Sequence, residues 1–194
     1  MSNIRSLCVY CGSSSGTDPA HAEDARALGA AMAAAGIRLV YGGGRIGLMG
    51  IVADACLAGG GQVTGIIPRF LHNRELGHGA ATELVHVESM HERKQLMFER
   101  SDAFCVLPGG IGTMDETFEI MTWRQLTLHD KPIVLVNHRD YWRPFLDLIE
   151  RITAEGFAGP GVRSLFTVVE NAAGVLPALA AAGPERVPGQ PYRL

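Results

Sequence analysis

A chain of 194 residues and 20.8 kDa falls in the usual size range of one domain, and by area scaling it buries about 70% of its extended surface, enough for a core without disulfide or metal staples. Its 47% hydrophobic and 19% charged residues, net charge of -3 and pI near 6.1 exclude a disordered or fibrous chain and the broad basic footprint that nucleic acid demands. No stretch of eighteen apolar residues runs without charge or glycine, and Met1-Ser2-Asn3-Ile4-Arg5 opens no leader pattern, so neither a membrane partner nor export is expected and the chain reads as cytoplasmic.

Twenty-four glycines punctuate the sequence where apolar runs stop and helical patterns begin. Residues 5–11 read as a strand, followed by the turn Gly12-Ser13-Ser14-Ser15-Gly16, then by Asp18 as N-cap and Pro19 as first residue of an alanine-rich helix to about residue 35. A second strand, 37–41, leads through Gly42-Gly43-Gly44-Arg45-Ile46-Gly47 into a helix to about 58, and a third, 63–67, ends at Pro68. Residues 69–81 show no clear period and are expected to form a long loop or broken helix. Strand 83–87, helix 89–100 and strand 103–107 follow, then the turn at Pro108, a helix to about 128, strand 132–136, helix 141–153, strand 166–169 and helix 171–182. The expected organisation is one Rossmann-like α/β domain over 1–182, a doubly wound parallel sheet with helices on both faces, and a poorly ordered tail over 183–194.

In such a sheet ligands bind beyond the carboxyl ends of the strands, where the three glycine-rich turns fall. Gly42-x-Gly44-x-x-Gly47 has the letters of a dinucleotide fingerprint, but no acid follows about 20 residues on to hold a ribose, which favours tight strand–helix packing over a nicotinamide cofactor. The turn Pro108-Gly109-Gly110-Ile111-Gly112-Thr113 is more specific: glycines let backbone N–H groups close on an anion, and the helix behind adds its free donors and positive end. No Gly-Lys-Ser/Thr follows, so a triphosphate with magnesium is not indicated. Thr113 and Glu116 have the spacing of a capping box, which would account for Glu116 structurally.

Ser89 and Glu92 form a second such pair, opening a helix on which Met90, Arg93, Lys94 and Met97 share one face. Two cations on an inward stripe need an anion or a route to solvent, and Glu116 is among the acids on offer. Cys8 and Cys11 form a CxxC along a strand, which points them to opposite faces, and the four cysteines read as reduced core residues. The histidines are too scattered for metal-ligand spacing.

Met90-His91-Glu92-Arg93-Lys94 followed by Pro108-Gly109-Gly110-Ile111-Gly112-Thr113-Met114-Asp115-Glu116 resembles the paired signature of the LOG (Lonely Guy) family of cytokinin riboside 5′-monophosphate phosphoribohydrolases. The resemblance covers about residues 4–180, including Cys11-Gly12-Ser13, Tyr41-Gly42-Gly43-Gly44 and Thr122-Trp123-Arg124-Gln125-Leu126; Asp115 stands where plant members usually carry Glu. It implies hydrolysis of the N-glycosidic bond of an adenosine 5′-monophosphate, often N6-prenylated, with no cofactor and no metal, by a homodimer. It further implies Arg93 and Glu116 as the catalytic pair, Gly109, Gly110, Ile111, Gly112 and Thr113 around the 5′-phosphate, and Glu75, Lys94 and Thr122 lining the nucleotide site.

The chemistry fits these residue types independently. Cleaving a ribosyl C–N bond builds positive charge on the sugar, which a carboxylate stabilises, while a neighbouring cation keeps that carboxylate ionised and aimed. A noncatalytic nucleotide or molybdopterin carrier on the same fold is the alternative; it would need the phosphate cradle but no carboxylate at the anomeric carbon.

Overall fold

The computed structural model describes residues 4–72 and 77–182. Seven strands form one parallel sheet in the order β4-β3-β2-β1-β5-β6-β7: β1 (Ser6–Tyr10), β2 (Arg38–Tyr41), β3 (Val63–Pro68), β4 (Glu83–Val87), β5 (Ala103–Val106), β6 (Ile133–Val136) and β7 (Thr167–Val169). Between them run α1 (Pro19–Ala34), α2 (Gly47–Ala58), the short α3 (Arg69–His72), α4 (Met90–Glu99), α5 (Ile111–Gln125) and α6 (Arg143–Ala154), and α7 (Val175–Ala181) closes the described chain. Every strand pair is parallel. The expectation for residues 183–194 lies outside the described residues.

Apart from Ser6 and Arg38 at the starts of β1 and β2, the inner strands are buried, as a sheet covered on both faces requires, whereas the edge strands β4 and β7 are partly exposed. Alternation along β1 divides the core. Leu7, Val9 and Cys11 face α1, α2 and α7 with Leu28, Met32, Val52 and Leu179, while Cys8 and Tyr10 face α4, α5 and α6 with Met97, Ile120 and Phe145. The CxxC thiols therefore sit in opposite halves of the core, reduced and buried.

Local chemistry starts the helices where the sequence indicates. Asp18 accepts from Ala20 N–H at 2.9 Å with Pro19 behind it, and the Ser89 hydroxyl accepts from Glu92 N–H at 3.1 Å. Long-range pins then set the register. Asp102 Oδ2 accepts from Arg5 N–H, Ser6 N–H and the Ser6 hydroxyl, each at 2.9 Å, locking the start of β1 beside β5. Strand order runs outward from β1 in both directions, so the chain reverses between β1 and β5, and the loops leaving those strands diverge around a crevice.

Candidate active site

The loops after β1 and β5 are tied to each other rather than left as open turns. Gly12 N–H donates to the Pro108 carbonyl at 3.0 Å, Leu48 N–H donates to the Gly12 carbonyl at 3.0 Å, and the Tyr141 hydroxyl donates to the Gly109 carbonyl at 2.7 Å. Between them lies a cleft of about 210 Å³ whose lining includes Ser13, Ser14, Ser15, His21, Gly110 and Tyr141.

At the cleft wall α5 begins at Ile111, with Gly110 as an extended N-cap at φ -92° and ψ -154° and no side-chain cap. The Thr113–Glu116 capping box expected from spacing is not formed. The chain turns helical ahead of Thr113, so Thr113 belongs to the first turn and Glu116 to the helix interior, and both are buried. Thr113 instead lies against the glycine turn: a Cβ on Gly109 would collide with its Oγ1 and come within 2.8 Å of Gly12 N. Gly110, Ile111 and Gly112 are exposed. The N–H groups of residues 110–113 have no acceptor inside the helix and sit at its positive end, the arrangement that receives an anion.

Arg93 reaches the site from α4. It is 6% exposed, with Nη2 donating to the Gly42 carbonyl at 3.2 Å and Nη1 to Met90 Sδ at 3.8 Å. A Cβ at Gly42 would occupy the place of the guanidinium, which explains one glycine of the fingerprint-like turn without any dinucleotide. Glu116, 8% exposed, approaches from α5. Both charges act on the thiols of β1 and of the turn after it: burial and then Glu116 push Cys8 and Cys11 up, while Arg93 opposes the shift at both. Burial, Cys8 and then Glu116 likewise raise the Tyr10 hydroxyl. A buried carboxylate and a buried guanidinium thus act on the same buried, un-ionised neighbours.

The remaining sequence-derived residues part ways. Lys94 is turned toward α5, with Nζ 3.1 Å from Asp115 Oδ2 and 3.1 Å from Glu119 Oε1. Burial alone would lower its pKa, but the two carboxylates outweigh it and raise it, so the ammonium braces α4 against α5. Thr122 is exposed, its hydroxyl donating to the Phe118 carbonyl at 2.7 Å, six residues and about 9 Å beyond Glu116 along the helix. Neither Lys94, Thr122, Arg93 nor Glu116 lines the 210 Å³ cleft. Glu75 lies outside the described residues.

Two cleft residues, His21 and Tyr141, were not anticipated. His21 is buried on the first turn of α1 and packs edge-on against the Tyr141 ring, with centroids 5.3 Å apart at 74°. The serine- and glycine-rich turn after β1 was visible as a turn, but only strand order places it beside the turn after β5 and near Tyr141, which follows β6.

Comparison with known proteins gives the family and the fold. A family model described as "Possible lysine decarboxylase" matches residues 49–179. A Rhodococcoides fascians protein named cytokinin riboside 5′-monophosphate phosphoribohydrolase is 46% identical over 176 residues, spanning 90% of this chain and 89% of its own. An Arabidopsis thaliana protein of that name is 42% identical over 171 residues, 88% of this chain and 80% of its own. Among solved structures, a molybdenum cofactor binding protein from Rippkaea orientalis superposes with a TM-score of 0.70 at 17% identity, over 93% of this chain and 98% of that one. The molybdenum cofactor carrier protein of Chlamydomonas reinhardtii gives 0.69 at 19% identity, over 91% and 96%; at such identities the likeness concerns the fold alone. With close to half of its residues shared along nine-tenths of its length, and with the arginine, glutamate and glycine turn of the signature gathered at one end of the sheet, the chain belongs to the LOG family of cytokinin riboside 5′-monophosphate phosphoribohydrolases.

Proposed function

We propose that this protein hydrolyses the N-glycosidic bond of an adenosine 5′-monophosphate, plain or N6-substituted, releasing the free base and ribose 5-phosphate. The observation that carries the reading is the burial of both Arg93 on α4 and Glu116 on α5, with α5 starting from a bare glycine at its capping position. The N–H groups of residues 110–113 receive the 5′-phosphate and so orient the ribose; this remote binding energy is spent on placing the anomeric carbon. A cleft of about 210 Å³ is below the roughly 300 Å³ of a typical small-molecule pocket and suits the phosphate end of a nucleotide.

As the C1′–N9 bond lengthens, positive charge builds on the ribose and the Glu116 carboxylate stabilises it. Water then bonds to C1′ and gives up a proton to the carboxylate, the base leaves with the electrons of the broken bond, and that proton passes on to the base, which restores the ionised carboxylate. Arg93, fixed to the Gly42 carbonyl, supplies the positive charge of the pair. Lys94 and Thr122 act at the margin of the site, Lys94 by fixing α4 to α5.

The decarboxylase wording of the family model fits these residues poorly. The chain has two lysines; Lys94 is held between two carboxylates, and Lys131 donates to the Phe98 carbonyl at 2.7 Å. Neither lines the cleft or is placed to form a Schiff base. A cytoplasmic homodimer completes the proposal: four reduced cysteines suit a reducing compartment, and Ile111 (80% exposed), Leu126 and Leu128 leave apolar surface at both ends of α5 for a second copy. No helix among the described residues is long and apolar enough to cross a membrane. Incubation with AMP and with N6-isopentenyl-AMP, followed by separation of bases and sugar phosphate, tests the reading; intact nucleotide in both reactions would refute it.

A further inference from the structure

Tyr141 stands at the phosphate end of the cleft with a single side-chain hydrogen bond, and that bond goes to the glycine turn itself: its hydroxyl donates to the Gly109 carbonyl at 2.7 Å. The peptide joining Gly109 to Gly110 is trans. In a trans peptide the carbonyl and the following N–H point in opposite directions. Holding Gly109 O toward Tyr141 therefore turns Gly110 N–H the other way. Gly12 N–H does the same one peptide earlier by holding Pro108 O at 3.0 Å, which orients Gly109 N–H. Two adjacent glycine-containing peptides, the most easily rotated in the chain, are thus each clamped by one donor from a neighbouring loop.

The loop that delivers Tyr141 is itself strained. Arg139 (φ 52°, ψ 35°) and Asp140 (φ 59°) are consecutive non-glycine residues in the left-handed region, immediately before Tyr141. Such a conformation persists only where the surroundings over-determine it, and here they do. Asn137 Nδ2 donates to Asp140 Oδ1 at 3.1 Å, and Asn137 Oδ1 accepts from Trp142 N–H at 2.7 Å. His138 Nδ1 lies 2.6 Å from Asp24 Oδ2, while Asp24 Oδ1 accepts from the buried Ala172 N–H at 2.9 Å. Arg139 reaches Asp18 at 3.3 Å. The His21 ring packs edge-on against the Tyr141 ring, and both line the cleft. Fold stability alone gives no reason to hold an exposed tyrosine so firmly.

We propose that Tyr141 is a positioning residue for the 5′-phosphate: resting on the reading of the 109–113 turn as the phosphate site, its hydroxyl fixes the Gly109–Gly110 peptide so that the Gly110 N–H is aimed at the phosphate before substrate arrives. The strained 137–141 loop, anchored to α1 through Asp24 and His138, presents that hydroxyl. Tyr141 touches the turn and not the scissile bond, so its loss is felt in binding of the phosphate.

The test is Tyr141→Phe, which keeps the ring against His21 and removes one oxygen at a half-exposed position. Calorimetric binding of ribose 5-phosphate should weaken about tenfold, the scale of one lost hydrogen bond, while adenosine binds as to the parent protein. With AMP, KM should rise by a similar factor and kcat should change by less than about threefold, as for an interaction made equally in ground and transition states. Unchanged ribose 5-phosphate affinity overturns the proposal. So does a matching loss of affinity for ribose 5-phosphate and adenosine, because the hydroxyl would then be shaping the site as a whole. A parent protein that binds ribose 5-phosphate but leaves AMP intact refutes the ribohydrolase reading and leaves the Tyr141 comparison valid; one that does not bind ribose 5-phosphate refutes both.

Discussion

Replacing Gly42 by alanine isolates the contact on which the arginine–glutamate pair depends. The new Cβ would overlap Arg93 Nη2 and lie 3.0 Å from Arg93 Cζ and 3.2 Å from Met49 Sδ. The thioether can give way at little cost. The guanidinium cannot stay: ordinary contact is about 3.5–4.0 Å, so it must retreat by about 1 Å or more. That breaks its 3.2 Å bond to the Gly42 carbonyl, a charged hydrogen bond worth about 1.5–3 kcal/mol, and for a chain of this size it should lower Tm by about 3–12 °C. A misplacement of about 1 Å in the catalytic constellation should cost on the order of a hundredfold in kcat/KM on a nucleoside monophosphate. The decisive measurement is the double-mutant cycle with Arg93→Ala. Once the guanidinium is gone, the added methyl has nothing to displace, and Gly42→Ala should cost less than about 0.5 kcal/mol in that background. If the two substitutions are additive in both stability and activity, the Cβ acts on something other than Arg93 and the argument fails.

Glu116→Gln keeps the volume of a side chain in the helix interior and removes its charge, so kcat/KM should fall by about a hundredfold or more; a variant that turns over normally would leave the proposed reaction without its stabilising carboxylate. Because the 5′-phosphate anchors the ribose, adenosine should be cleaved at least about a hundredfold less efficiently than AMP, and comparable kcat/KM values in a base-release assay would contradict the phosphate cradle. Burial opposes ionisation of Asp102, but its bonds from Arg5 and Ser6 prevail and hold its pKa below the usual carboxylate value. A depressed folded-state pKa means that this stabilisation is complete above the unfolded value near 3.8 and is lost as pH falls through the lower folded value. Acid melting curves of Asp102→Asn should therefore show a lower Tm at pH 6 and a shallower decline below about pH 4 than the parent, and parallel curves would remove Asp102 from the account.

Much of this molecule is legible along the chain because the signals are local. Buried parallel strands read as short apolar runs such as Leu7-Cys8-Val9-Tyr10 and Ile133-Val134-Leu135-Val136, helices announce themselves by Asp18-Pro19 and Ser89-x-x-Glu92, and glycine marks each turn that a ligand or neighbouring backbone must approach. The signature residues Arg93 and Glu116 were identifiable by type and spacing, and burial at one end of the sheet follows from their places on α4 and α5. The cap spacing of Thr113 and Glu116 was a false local signal, since Gly110 let the helix start earlier and turned both side chains inward. What tertiary structure decided are contacts between distant residues, which leave no periodic trace: Arg93 on the Gly42 carbonyl across 51 positions, and Tyr141 on the Gly109 carbonyl across 32. Lys94 likewise found Asp115 and Glu119, not Glu116, because helix packing selects which of several nearby carboxylates faces it. A sequence specifies each element's own period and ends, but which loops become neighbours depends on strand order, and here the reversal between β1 and β5 brings the segments after β1, β5 and β6 to one cleft.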